Sequence, residues 1–242
     1  MDAIKIDALT KRYKDTVAVD GLSLSIGEGE LFSLLGVNGA GKTTTIKMLS
    51  CLTDATEGDA YLLGKSILKE PAEIKSLIAV SPQETAVAPG LSVRENLELI
   101  CGVHGFRRDK RSAKIAELTE LLGLRTVIDK IAGKLSGGWQ RRLSIAMALI
   151  SEPKILFLDE PTLGLDVIAR SELWDMIRAL KGRITIILTT HYMEEAEELS
   201  DRVGIMKDGK LLICDTPDGI KSAAGEDSFE RAFVRIVKEV RE

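Results

Sequence analysis

An α/β fold with a mostly parallel sheet is what this sequence predicts, on three observations. Short apolar runs alternate with helical patterns at both ends of the chain, as strand–helix–strand units require. One run, Leu31–Leu35, leads straight into the glycine-rich stretch Gly36 to Gly41. Another, Ile155–Leu158, is apolar without alternation and ends in two carboxylates, the pattern of a strand buried on both faces.

The elements follow in order. Ile4–Leu9, Leu22–Ile26 and Leu31–Leu35 read as strands, and a helix is expected after Gly41, where Ile46, Leu49 and Leu52 recur at helical spacing. Tyr61–Leu63 and Ile78–Val80 read as further short strands, with the turn residues Gly64 and Pro71 between them. From Glu84 to Ile150 helical patterns take over, at Ser92–Val103, Lys110–Leu122 and Gly138–Ile150, and Ser92 with Glu95 forms a capping box. After Pro153 the alternation returns: strand Ile155–Leu158, helix Val167–Leu180, strand Ile184–Leu188, helix Met193–Leu199, strand Arg202–Met206 and a Lys-Asp-Gly-Lys turn at 207–210. The expected organisation is an α/β core with an N-terminal antiparallel β subdomain over 1–83 and 151–242, interrupted by a helical subdomain over 84–150. The tail Ser228–Val240 is amphipathic, with Phe229, Phe233, Ile236 and Val240 on one side, and is expected to dock on the domain.

Composition narrows the function classes. The 242 residues are 45% hydrophobic and 29% charged, which is ordinary globular usage and enough apolar material for a core. With 33 Lys+Arg against 37 Asp+Glu the net charge is −4, so the strong basic footprint of a dedicated nucleic-acid binder is missing and no nucleic-acid partner is expected. No apolar stretch approaches the roughly 20 residues of a spanning helix, and the start Met-Asp-Ala-Ile-Lys-Ile reads as a strand rather than a secretory signal, so a cytosolic location is expected. Cys51, Cys101 and Cys214 are odd in number and set among apolar residues, which reads as buried free thiols.

The chemistry is concentrated in three stretches. Gly36-Val-Asn38-Gly39-Ala40-Gly41-Lys42-Thr43-Thr44 fits G-x-x-x-x-G-K-[ST] between an apolar strand and a helix, the P-loop of a nucleoside-triphosphatase core. Glycines open backbone angles closed to other residues, successive N–H groups face phosphate oxygens, and the helix N-terminus adds its positive end. Lys42 is expected to neutralise the β- and γ-phosphates of ATP, and Thr43 to offer its hydroxyl to Mg²⁺. Asp159 and Glu160 end the second stretch at the sheet edge where ligands of such folds bind, Asp159 for the metal shell and Glu160 for the attacking water. The third, Leu135-Ser136-Gly137-Gly138-Trp139-Gln140-Arg141-Arg142, opens a basic helix with a second anion site.

A Leu-Ser-Gly-Gly helix start between a P-loop and an Asp-Glu strand resembles the signature of the ATP-binding cassette (ABC) ATPases, and the order of motifs follows theirs along essentially the whole chain. That resemblance implies a head-to-tail dimer, homo- or heterodimeric, in which Ser136, Gly137 and Gly138 of one subunit complete the γ-phosphate site of the other. It also implies an adenine-stacking role for Tyr13, contact of Gln83 with Mg²⁺ and the attacking water, and a γ-phosphate contact for His191. Leu163-Gly164-Leu165-Asp166 is similar to the family's interface loop, with Leu163 in place of its usual serine, and Trp139 stands where the family commonly has glutamine. The acidic run Glu194 to Glu198 reads as a solvated helix face without a catalytic role.

The function implied is ATP hydrolysis coupled to transport through a separate membrane-embedded permease, with the chain on the cytoplasmic face of the membrane. The Leu158–Asp166 phrase and the Trp-Gln-Arg-Arg variant are most similar to subunits of multidrug and antibiotic exporters. The competing readings are an importer subunit and a soluble ABC protein acting on ribosomes or DNA. A P-loop kinase or GTPase is disfavoured because the guanine-specific Asn-Lys-x-Asp motif is absent.

Overall fold

The structure, a computed structural model, describes residues 1–239. Strands β1 (Asp2–Tyr13) and β2 (Thr16–Gly27) form a long hairpin, joined by β4 (Glu57–Leu62) and β5 (Lys65–Ser66) into an antiparallel sheet of order β2-β1-β4-β5. The second sheet has the order β10-β9-β3-β8-β7-β6, from β3 (Leu31–Leu35), β6 (Ile78–Ser81), β7 (Ile155–Asp159), β8 (Thr185–Thr190), β9 (Arg202–Lys207) and β10 (Lys210–Asp215). Every pairing in it is parallel except β9 with β10. That exception is a hairpin closed by Asp208 and Gly209, both at positive φ, as a two-residue Asp-Gly turn demands.

Alternation along the parallel strands explains their unbroken apolarity. In β7, Leu156 and Leu158 face one core while Ile155 and Phe157 face another; in β8, Ile186 and Leu188 oppose Ile187 in the same way. The first core is shared with the helices α3 (Val93–Val103), α4 (Arg108–Leu121) and α5 (Gly137–Leu149), which lie in sequence between β6 and β7, and with α6 (Val167–Leu180). The second lies between the two sheets and includes Ile46, Met48 and Leu49 of α1 (Lys42–Leu49). A third joins β9 to α7 (Met193–Leu199), α8 (Pro217–Ala224) and α9 (Phe229–Glu239).

Helix α3 carries the expected capping box: the Ser92 hydroxyl accepts from Glu95 N–H while the Glu95 carboxylate accepts from Ser92 N–H. These bonds hold the Glu95 carboxyl below its ordinary value. The amphipathic tail docks as anticipated, with Phe229 and Phe233 buried beside Ile220 and Ala224; Val240 lies outside the described residues. Other expectations are corrected. Leu52 is not on α1, because the helix ends at Leu49 and Cys51 turns the chain at φ 55°, leaving Leu52 66% exposed. Pro71 opens α2 (Pro71–Leu77) rather than a turn, since proline suits the first helical position. Of the three thiols only Cys101 is fully buried, Cys51 and Cys214 being half-buried; burial raises the pKa of all three.

Candidate functional site

Strand register assembles the site. Leu35 pairs with Thr190 and Asp159 with Thr189, so β3, β7 and β8 end level and the next residues, Gly36, Glu160 and His191, leave the sheet side by side. They open onto a cavity of about 520 Å³ lined by Tyr13, Asn38 to Thr44, Gln83, Glu160 and His191. Ala18 and Leu163 complete its wall.

The loop between β3 and α1 is shaped by two close approaches. At Gly41 φ is 103°, and a Cβ would lie 2.4 Å from the carbonyl oxygen of Ala18 on the antiparallel sheet. Gly36 has no such backbone need, but a Cβ there would fall 2.4 Å from Met206 O. Gly36 is buried and does not line the cavity, so in this chain its glycine identity serves packing against β9. Lys42, 5% exposed, curls back over the loop, its ammonium donating to Gly36 O at 2.7 Å and Val37 O at 3.3 Å.

The carboxylates are held from several sides. Glu160 Oε1 lies 3.2 Å from Lys42 Nζ and Oε2 lies 2.6 Å from His191 Nδ1. Its backbone adopts φ 49°, a conformation costly for a non-glycine residue and typical of functional sites. Two bonds over-determine it: Glu160 N–H donates to both the carbonyl and the hydroxyl of Thr189, each at 3.1 Å. The Thr189 hydroxyl donates in turn to Asp159 Oδ1 at 2.5 Å, and the Thr43 hydroxyl donates to the same oxygen at 3.0 Å. Tyr13, the last residue of β1, is 45% exposed with Lys11 Nζ 5.0 Å from its ring centroid. Gln83 is exposed and also lines the cavity.

Ser136, Gly137 and Gly138 are elsewhere. They open α5 and none of them lines the cavity. Ser136 is exposed and its hydroxyl caps no backbone N–H of its own helix. Trp139 beside them is half-buried on the helical core, with the Arg142 guanidinium 4.8 Å from its ring centroid and bonded to Glu172 at 2.5 Å.

Three residues near the site escaped the sequence reading. Thr189 reads in the sequence only as part of a strand end, although a Thr-Thr-His run after a buried strand marks the place. Arg141 is buried and bonds to the carbonyls of Pro82 and Gln83. Glu195 corrects the expectation of a solvated acidic face: it is fully buried, with Trp174 Nε1 donating to Oε1 at 3.1 Å. Burial pushes its pKa up, and hydroxyls of Thr190 and Thr162 on the same carboxyl oppose the shift. Its Oε2 and the Thr162 hydroxyl are nonetheless both without a well-formed hydrogen bond.

A P-loop at the end of a central parallel strand, facing an Asp-Glu pair from β7, two places away across β8, defines a P-loop nucleoside-triphosphatase. The ABC transporter family profile matches residues 19–163, and the chain belongs to that family. It is 40% identical over 229 residues, 94% of its length, to the daunorubicin resistance ATP-binding protein DrrA2 of Streptomyces coeruleorubidus, covering 71% of that protein. It is 41% identical over 222 residues to the Nod factor export ATP-binding protein I of Burkholderia orbicola, covering 73% of it. To the probable multidrug ABC transporter ATP-binding protein YbhF of Escherichia coli it is 36% identical over 241 residues, spanning 41% of that longer chain. A solved ATP-binding subunit of an ABC transporter superposes with a TM-score of 0.84 over 97% of this chain at 25% identity, 99% of the neighbour being covered. The chain is thus an ATP-binding, ATP-hydrolysing subunit of an ABC transporter. No helix among the described residues is long and apolar enough to cross a membrane.

Proposed function

We propose that the chain hydrolyses MgATP in the cavity at the end of β3 to drive export through a separate permease subunit, working as a head-to-tail dimer at the cytoplasmic face of the membrane. The division of labour proposed is a nucleotide-binding core, 1–83 with 151–242, and a helical subdomain, 84–150, carrying the signature. The observation that carries the reading is the convergence of Lys42, Thr43, Glu160 and His191 on one cavity, with Asp159 bonded to the Thr43 hydroxyl and Ser136 to Gly138 outside the cavity. Export is supported by the drug-resistance and export functions in the relatives' names.

Phosphate oxygens would lie in the cradle from Asn38 to Thr44, with Gly36 holding its base, and the adenine against Tyr13. The residues fit a hard divalent cation: the Thr43 hydroxyl and an Asp159 carboxylate oxygen are oxygen donors 3.0 Å apart, and Gln83, on the same cavity, would offer a third. Mg²⁺ held there would neutralise the developing charge on the β- and γ-phosphates. Phosphate competes with Glu160 for Lys42, which frees one carboxylate oxygen to take a proton from the attacking water while His191 keeps the other oriented. Ser136, Gly137 and Gly138 of a second subunit, identical or a paralogue, close over the γ-phosphate. ATP then favours the closed dimer by its differential affinity for that form, and loss of the γ-phosphate releases it.

The Glu160→Gln variant tests this. It should lose on the order of 10²- to 10⁴-fold in hydrolysis, keep ATP binding, and run as a dimer on a sizing column with ATP. Hydrolysis at the unmodified rate would remove Glu160 as the base, and a monomer with ATP would remove the dimer. Purified from its host membranes in mild detergent with ATP, the same variant should bring down a protein with several membrane spans in stoichiometric amount.

A further inference from the structure

We infer that Arg141 is the positioning residue of the Gln83 loop, tying the Ser136–Gly138 helix start of α5 to Gln83 at the nucleotide site of the same chain. This rests on the role proposed above for Gln83.

The side chain is 4% exposed, and its two terminal nitrogens reach two successive carbonyls: Nη1 donates to Pro82 O and Nη2 to Gln83 O, each at 2.5 Å. A planar guanidinium is suited to such a fork, whereas a lysine ammonium is a single point donor. One turn further along α5, Ser144 Oγ lies 3.0 Å from Ser81 Oγ, also buried. Three consecutive residues leaving β6 are therefore pinned to one face of one helix. Ser136 precedes the first residue of that helix, about one and a half turns before Arg141, so displacement of the helix start carries the Gln83 backbone with it.

The charge itself argues for a positioning role. No carboxylate lies within ion-pair distance of Arg141 among the described residues. Burial lowers its pKa, and only the more distant Asp159 and Glu195 support the cation. A buried cation without an ion-pair partner is an expensive way to fill a core, and neighbouring positions of the same helix, Leu143 and Ile145, fill it with apolar groups. What the guanidinium adds over an apolar side chain is a fixed geometry for the segment that presents the Gln83 amide to the cavity. That is a contribution to the placement of a reacting group, where displacements of about 1 Å cost up to ~10²-fold in rate.

The test is a double-mutant cycle on the purified chain, with steady-state MgATP hydrolysis as the readout and thermal unfolding as the check on folding. Arg141→Met should lower kcat on the order of tenfold or more with KM for ATP within twofold, and Arg141→Lys should fall between it and the unmodified chain. Because Arg141 acts through Gln83, adding Arg141→Met to Gln83→Ala should produce no further loss. An unmodified kcat in Arg141→Met, or losses that multiply in the double variant, would overturn the inference. Should Arg141→Met fail to fold, Arg141→Lys decides alone, by the same comparison in the Gln83→Ala background. If Gln83→Ala hydrolyses at the unmodified rate, the role given to Gln83 is what has failed, and this inference falls with it.

Discussion

The corner where β3, β7 and β8 end and the helix start at Ser136 are both rich in polar groups, yet they are satisfied in opposite ways. In the corner Lys42, Asp159 and Glu160 are all but buried, and each bonds to at least two others of the set formed with Thr43, Thr189, His191 and the loop carbonyls. At Ser136 the hydroxyl is exposed and caps nothing. A closed network positions groups in advance and tolerates no deletion cheaply. An open one contributes little to its own fold, so what it does depends on what binds it.

The largest effect that separates the two is expected at Lys42. Removing it in Lys42→Ala leaves Glu160 buried without its cation, which should cost about 3–5 kcal/mol in denaturant unfolding at neutral pH and abolish measurable hydrolysis. Adding Glu160→Gln to that variant should return most of the stability and none of the activity. Ser136→Ala is the counterpart. It should lose tenfold or more in hydrolysis while its unfolding midpoint stays unchanged; a drop in midpoint would place Ser136 with the closed networks. The smallest effect is a slope rather than a step. The folded Glu195 carboxyl has a raised pKa, so above the unfolded value of about 4.3 the native chain holds a proton that the unfolded chain has released. Stability is therefore lost as pH rises from there toward the folded pKa, by up to ~1.4 kcal/mol per pH unit. Glu195→Gln, which keeps the acceptor for Trp174, should lack that slope and gain on the unmodified chain as pH rises; parallel profiles would show that the carboxyl is ionised when folded.

What could be read in advance follows the same division. The P-loop, the apolar strand before Asp159 and the Ser92–Glu95 box are local patterns in which spacing alone carries the geometry. Helices Val167–Leu180 and Met193–Leu199 likewise end where their periodicity ends. Glu195 and Arg141 were hidden because side-chain type pointed outward while their partners are distant in sequence: Trp174 lies 21 residues away from Glu195, and Pro82 lies 59 from Arg141. Helix α8 and strand β10 carry weak patterns, since β10 is an edge strand with mostly half-buried positions and α8 is short with only Ile220 and Ala224 buried. Gly36 is the instructive case at the site itself. Its motif predicts glycine correctly, but the structural demand comes from Met206, on a strand far along the chain.

The two tryptophans sit at informative places: Trp139 directly follows Gly138 beneath the Arg142 guanidinium, and Trp174 is anchored to the buried Glu195 carboxyl. With no other tryptophan in the sequence, indole emission from this protein has only two sources. One borders the surface expected to meet a second subunit and the other lies on α6, inside the fold. Replacing Trp174 by phenylalanine would leave a single indole, at the signature, so association on ATP addition could be followed in stopped flow by selective tryptophan excitation without attaching a dye.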